Sequence, residues 1–284
     1  MRSAGVELVD RRELVAGRWL TTWHAPAIVS GARAGQYVHL RTVEAGGLPI
    51  RRMFPIVTAD PASGILTTHA PGAPPSTAFG RLRPGDVVDM LGPLGRPIEV
   101  DARSRHLLLV AQDETVGSLR LLVDEAIRDG RSVVLLLGAA TSAGVYPSSL
   151  LPDEVEYVVA TDDGGLGHRG SVLDLVPDYE AWADQAFASG PPPMLATLAA
   201  QAAGRRQRLG VATLGRKRGG GRPPAPGSPE ARRRAWLQVV VEPAFACAAG
   251  TCLGCVVPGV SGALRACREG PSFAADELDW ERAS

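Results

Sequence analysis

With 284 residues, 45% of them hydrophobic and 21% charged, the chain has a globular composition and enough length for about two domains. Lys+Arg and Asp+Glu are both 30, so the formal net charge is +0 and no global field favours nucleic acid or an acidic membrane. The longest apolar runs, such as "SVVLLLGAA" at 132–140, fall well short of the ~18 residues a membrane span requires. The first 26 residues lack the continuous apolar core of a secretory signal, so the expectation is a cytoplasmic protein with neither membrane nor nucleic-acid partners.

In chain order, residues 1–100 carry short apolar stretches punctuated by Gly and Pro: "QYVHL" (36–40), "GILTTHA" (64–70) and "DVVDML" (86–91). That rhythm predicts a small antiparallel β-barrel. From 106 it changes to "HLLLVA" (106–111), a helical "SLRLLVDEAIRDG" (118–130), "SVVLLLGA" (132–139), "VEYVVATDD" (155–163), "PPMLATLAAQAA" (192–203) and "LQVVVE" (237–242). Strands alternating with helices over 101–242 predict a parallel-sheet α/β domain that binds ligands at its strand ends. Within it, 204–236 is crowded with Arg, Lys, Gly and Pro, a composition that cannot build a core and is read as a disordered basic insertion. The tail, 243–284, is loop-rich and has little core of its own.

All four cysteines lie in that tail. In a reducing compartment clustered thiols hold metals or do redox work more often than they form structural disulfides. Cys247, Cys252, Cys255 and Cys267 read C-x4-C-x2-C-x11-C, the opening spacing of plant-type [2Fe–2S] ligands. A structural zinc site, which favours two paired C-x2-C knuckles, is the alternative. Ala248, Ala249, Gly250, Thr251 and Gly254 are small, so backbone N–H groups can wrap sulfur closely. The five histidines are scattered without metal-ligand spacing, and no nucleophile elbow or Walker loop appears, so no residue is assigned a catalytic role.

The tail "EPAFACAAGTCLGCVVPGVSGALRACREGPSFAADEL" (242–278) resembles the electron-transfer subunit of NAD-linked dihydroorotate dehydrogenases, in the ferredoxin-reductase-like superfamily. The likeness extends through "RLRPGDVVDMLGPLGRP" (81–97), "TDDGGLGHRGSVLDL" (161–175) and "SGPPPML" (189–195). It implies an FAD-binding barrel (1–100), an NAD-binding-like α/β domain (101–242) and a [2Fe–2S] module (243–284) with the four cysteines as ligands. It also implies a flavin motif in "RRMFPI", with Arg52 against the FAD pyrophosphate and Phe54 beside the flavin, and a phosphate turn at Ser76 and Thr77. The implied partner is the catalytic dihydroorotate dehydrogenase flavoprotein of a hetero-oligomer in pyrimidine biosynthesis.

Three departures stand out. Pro55 replaces the hydroxyl residue of the family's flavin motif and has no N–H to donate. The Gly-rich turn after the first α/β strand is replaced by "QDETVG" (112–117), putting Asp113 and Glu114 where a pyrophosphate would sit, and Ser189-Gly190-Pro191 replaces the family's Cys-Gly-Pro. The expectation is a vestigial NAD site. An electron relay for another oxidoreductase, hydrogenase or ferredoxin-dependent, and a zinc-stabilised interaction module are the competing functions.

Overall fold

The computed structural model describes every residue except 1, 16, 44–48, 72–76, 214–224, 226, 243–246 and 284. Six antiparallel strands close the amino-terminal barrel: β1 (Arg2–Val15), β2 (Arg18–His24), β3 (Tyr37–Val43), β4 (Pro49–Asp60), β5 (Ile65–Pro71) and β6 (Val87–Leu94), in the order β1-β2-β5-β4-β3-β6. Alternation makes these strands: Val6 and Leu8 are buried around exposed Glu7, as are Val88 and Met90 around half-buried Asp89. The buried Trp23 indole N–H reaches the hydroxyls of Thr21 (3.1 Å) and Thr68 (3.2 Å), so its polar atom is satisfied.

The second body is a parallel sheet of β7 (His106–Gln112), β8 (Ser132–Ala139), β9 (Glu156–Thr161), β10 (His168–Arg169), β11 (Gln185–Ser189) and β12 (Leu237–Val240). The tail contributes an antiparallel hairpin, β13 (Val256–Gly259) and β14 (Gly262–Arg265), and then β15 (Ser272–Ala274). β15 pairs antiparallel with β12 and extends the sheet to β10-β9-β8-β7-β11-β12-β15. Central strands read as continuous apolar runs because helices cover both faces: Leu107, Leu108, Leu109 and Val110 are all buried, each worth ~1.5–3 kcal/mol. The helix Gly117–Arg128 buries Leu119, Leu122, Val123 and Ala126 and packs against β4, joining the two bodies. Strand order reverses between β7 and β11, which opens a crevice at their carboxyl ends.

The basic stretch 204–236 departs from its expected disorder at both ends. Residues 204–213 continue the helix Pro192–Thr213, and Pro229–Arg234 forms another, capped by the Ser228 hydroxyl accepting from Ala231 N–H at 3.1 Å. Arginine is a good helix former, and composition alone hides what its guanidinium meets. Arg205 lies 4.6 Å over the Trp236 ring, and Arg232 is buried against Glu277 of the tail. Residues 214–224 and 226 of that stretch lie outside the described residues.

Candidate functional site

The cysteine module is built by the tail hairpin. Ala266 N–H donates to Cys255 carbonyl at 3.0 Å, closing the ladder so that Cys255, just before β13, and Cys267, just after β14, come into side-chain contact. Both are buried, whereas Cys252 is exposed and Cys247 intermediate. Between 247 and 255 the chain turns tightly through left-handed residues: Ala248 (φ 54), Gly250 (φ 78) and Leu253 (φ 58). The turn points backbone N–H groups at sulfur. Ala249 and Cys252 donate to Cys247 Sγ at 3.4 and 3.5 Å, and Gly254 donates to Cys252 Sγ at 3.5 Å.

These contacts set the thiols apart. A hydrogen bond from the Thr251 side chain, with the N–H groups of Cys252 and Ala249, holds the Cys247 thiol down at about 5. Burial, followed by the hydrogen bond with Cys255, pushes Cys267 up to about 12. Metal ligands must be deprotonated, so Cys247 gives up its proton more readily than Cys267. Among the described residues no three His, Cys, Asp or Glu side chains already close around one metal-sized point. The donor chemistry, four thiols with N–H groups on two of the sulfurs, fits an iron–sulfur cluster.

The module is stitched to both bodies. Arg96 N–H donates to Gly270 carbonyl at 2.6 Å, and a Cβ on Gly95 would meet Pro271 Cδ at 2.5 Å, so only glycine fits there. Tyr37 on β3 packs with Leu94, Cys255 and Cys267 in one apolar cluster. Burial and then the charges of Cys267, Cys255 and Cys247 raise its phenol above the usual range, which shows how near the barrel lies to the thiols.

Of the expected flavin residues, Arg52 is exposed on β4 and Phe54, two residues on, is buried with its ring stacked on Phe79 at 5.0 Å and 21°. Thr77 begins the short helix Ala78–Arg81 that carries Phe79, and its hydroxyl accepts from Gly80 N–H at 3.0 Å. The fold thus gathers Phe54, Phe79 and the Thr77 turn, with Arg52 at the exposed end of the same strand. A guanidinium and a threonine hydroxyl are groups suited to an FAD diphosphate. The Phe54 ring, by contrast, is covered by Phe79 rather than offered as an open stacking face. Ser76 lies outside the described residues.

The crevice at the switch point has a volume of ≈ 530 Å³ and is lined by Gln112, Asp113, Glu114, Gly190 and Glu242, with Trp280 from the tail. The acidic pair does not stand free as the sequence suggested. Glu114 forms an ion pair with Arg18 of β2, and its carbonyl lies 3.3 Å from His69 Nδ1. Asp113 sits in the left-handed region (φ 52), and burial, with Glu114 next, raises its pKa. Glu242, past the end of β12, is hydrogen-bonded to the Ser118 hydroxyl. Its side chain is exposed to the crevice, yet desolvation by the surrounding protein, with Glu114 contributing, raises it to about 7. Arg18, His69, Thr115 and Glu242 carried no signal in the sequence, since their roles come from contacts between distant elements.

Residues 242–279 match the family model described as the iron–sulfur cluster binding domain of dihydroorotate dehydrogenase B. Over 250 residues the chain is 30% identical to the dihydroorotate dehydrogenase B (NAD(+)) electron transfer subunit of Bacillus caldolyticus, covering 86% of each chain. The chain belongs to the family of dihydroorotate dehydrogenase B electron transfer subunits. The subunit from Geobacillus thermodenitrificans is 28% identical over 277 residues, 95% of this chain and 96% of the relative. Among solved structures, the NADH-dependent reduced ferredoxin–NADP oxidoreductase superposes with a TM-score of 0.77 at 22% identity, covering 99% of this chain and 91% of that one. Phthalate dioxygenase reductase superposes with a TM-score of 0.54 at 16% identity, covering 69% and 63%. These likenesses show the ferredoxin-reductase-like fold, and no helix among the described residues is long and apolar enough to cross a membrane.

Proposed function

We propose that this chain is the electron-transfer subunit of a dihydroorotate dehydrogenase-type complex, working in the cytoplasm beside a catalytic flavoprotein that oxidises dihydroorotate to orotate. The observation that carries the reading is the cysteine module, four thiols on a hairpin and a tight N–H-rich turn fastened to a reductase scaffold. Cys247, Cys252, Cys255 and Cys267 would hold a [2Fe–2S] cluster, and Arg52, Thr77 and Ser76, with the strand bearing Phe54, would hold FAD. When bound, these groups supply the electron chemistry, FAD trading in pairs and the cluster singly. The chain's own contribution is placement. Buried Cys255 and Cys267 would hold the cluster away from water, and the N–H groups on Cys247 and Cys252 would stabilise thiolate charge and so tune its potential. Cys252 is exposed, as are Leu253 beside it and Val256 at the start of β13, an apolar edge suited to a partner's surface.

The test is anaerobic co-purification with the catalytic subunit, followed by iron, acid-labile sulfide and flavin analysis and by addition of dihydroorotate. The expected outcome is two irons and two sulfides per chain, lost in Cys→Ser variants, and cluster bleaching by dihydroorotate only in the complex. Zinc without sulfide, or a cluster that dihydroorotate leaves oxidised in the intact complex, would overturn the proposal.

A further inference from the structure

We infer that the crevice between β7 and β11 offers pyridine dinucleotides no pyrophosphate seat, because the chain's own side chains occupy it, so that this subunit takes no hydride there and exchanges electrons only with protein-borne redox groups. The inference rests on the electron-transfer reading above and narrows it. Dinucleotides bind open α/β sheets by laying a pyrophosphate on the N–H groups of the first strand-to-helix turn, where the switch point gives room. Each part of that seat is filled here.

The turn itself is spent. Thr115 Oγ1 accepts from Gln112 N–H at 3.3 Å and lies 2.7 Å from Gln112 carbonyl and 2.6 Å from Ser189 carbonyl. The last contact runs from the β7 turn to the end of β11, across the gap between strands that a dinucleotide must enter. Asp113 occupies a left-handed position on the turn and its carboxylate lines the crevice, so an internal anion stands where a pyrophosphate would approach. Gly117 lies so close to the barrel that a Cβ there would meet His69 Nδ1 at 2.5 Å, so the start of the helix packs directly on His69. The Arg18–Glu114 ion pair and the contact of the Glu114 carbonyl with His69 Nδ1 fasten the turn to the barrel from the other side.

The start of the helix is filled as well. Ser118, its second residue, is bonded to the Glu242 carboxyl, which enters from the end of β12 and stands where a helix N-terminus would receive phosphate. A ligand anion would have to displace Glu242 while facing Asp113 and Glu114; Arg18 is already paired with Glu114, and among the described residues that line the crevice the cation is Arg282 of the tail. The tail narrows the opening further, since Trp280 and Val256 line the same crevice.

The deciding experiment uses the full chain loaded with flavin and cluster under anaerobic conditions. Dithionite should reduce both groups, which establishes competence independently of any nucleotide. NADH and NADPH at millimolar concentration should leave the flavin spectrum oxidised over minutes, and calorimetric titration with ADP-ribose should show no saturable heat. Stoichiometric bleaching at micromolar NADH, or saturable ADP-ribose binding, would overturn the inference while leaving the cluster assignment intact. As a gain-of-function arm, Asp113→Gly with Glu242→Gln should raise the NADH reduction rate by about tenfold or more. A variant that folds, retains its flavin and gains nothing would refute the assignment of closure to these carboxylates.

Discussion

Replacing Arg232 by Ala tests whether the basic stretch is part of the fold. The Arg232 and Glu277 side chains are 4% and 10% exposed, and three N–O contacts of 2.9–3.1 Å join them. The guanidinium also lies 5.0 Å over the Phe273 ring on β15. Removing one member of a buried pair strands the other charge and costs about 3–5 kcal/mol, against ~0–1 kcal/mol for a surface pair. Burial decides between the two figures, and here it selects the larger. Spread over a chain of this length that unfolds cooperatively, the loss corresponds to a fall in Tm of roughly 5–8 °C. Urea denaturation followed by tryptophan fluorescence is a suitable assay, because Trp236 and Trp280 pack against the same apolar cluster as Phe273. Arg232→Met with Glu277→Leu should lie closer to the parent than either single change, since the pair is replaced by apolar volume. A loss below about 1 kcal/mol for Arg232→Ala would refute the argument and return the helix Pro229–Arg234 to the status of a loosely held appendage.

Three further outcomes follow from the site. Glu242 is raised in the folded state to about 7, so its stabilising neutral form is present below the unfolded carboxylate range and lost as pH rises through 7; Glu242→Gln should flatten that decline, measured as Tm between pH 5 and pH 8. Gly250→Ala places a Cβ 2.7 Å from Arg268 Cγ at a φ of 78°, a strain of ~1–2 kcal/mol inside the ligand turn, and acid-labile sulfide per chain should fall after anaerobic reconstitution. Pro55→Ser restores a hydroxyl and an N–H on the flavin strand opposite Tyr37, and flavin retained through gel filtration should rise; unchanged retention would show that nothing binds at that position.

What was legible in the sequence follows from how each element is stabilised. The run "SVVLLLGA" became β8 with the bounds read from it, because a strand buried on both faces must be apolar throughout. Strands β1 and β2 gave no comparable signal: most of β1 faces solvent, so its pattern mixes charge with apolar residues. The five-residue β11 and three-residue β15 are too short for periodicity, and pairing with β7 and β12 alone makes them strands. The cysteine spacing was readable because a cluster constrains nearby residues along the chain. The fates of Phe54 and Glu114 were not, since each is settled by a residue far away in sequence, Phe79 and Arg18.

The same distinction explains why the acidic turn was only half understood from sequence. Asp113 and Glu114 in place of glycine suggested simple repulsion of an incoming pyrophosphate. In the folded protein Glu114 is paired with Arg18, and at 36–37% side-chain exposure that pair contributes only ~0–1 kcal/mol, too little by itself to bar a ligand. The stronger obstacle is that the donors are already used. Thr115 accepts from Gln112 N–H and bridges to Ser189, and the Ser118 hydroxyl holds Glu242. A ligand that must break several internal hydrogen bonds before forming its own gains little net free energy, because each exchange is nearly balanced. Closure of the crevice is therefore a property of satisfied partners more than of net charge, and restoring glycine at 113 without also releasing Glu242 should open it only in part.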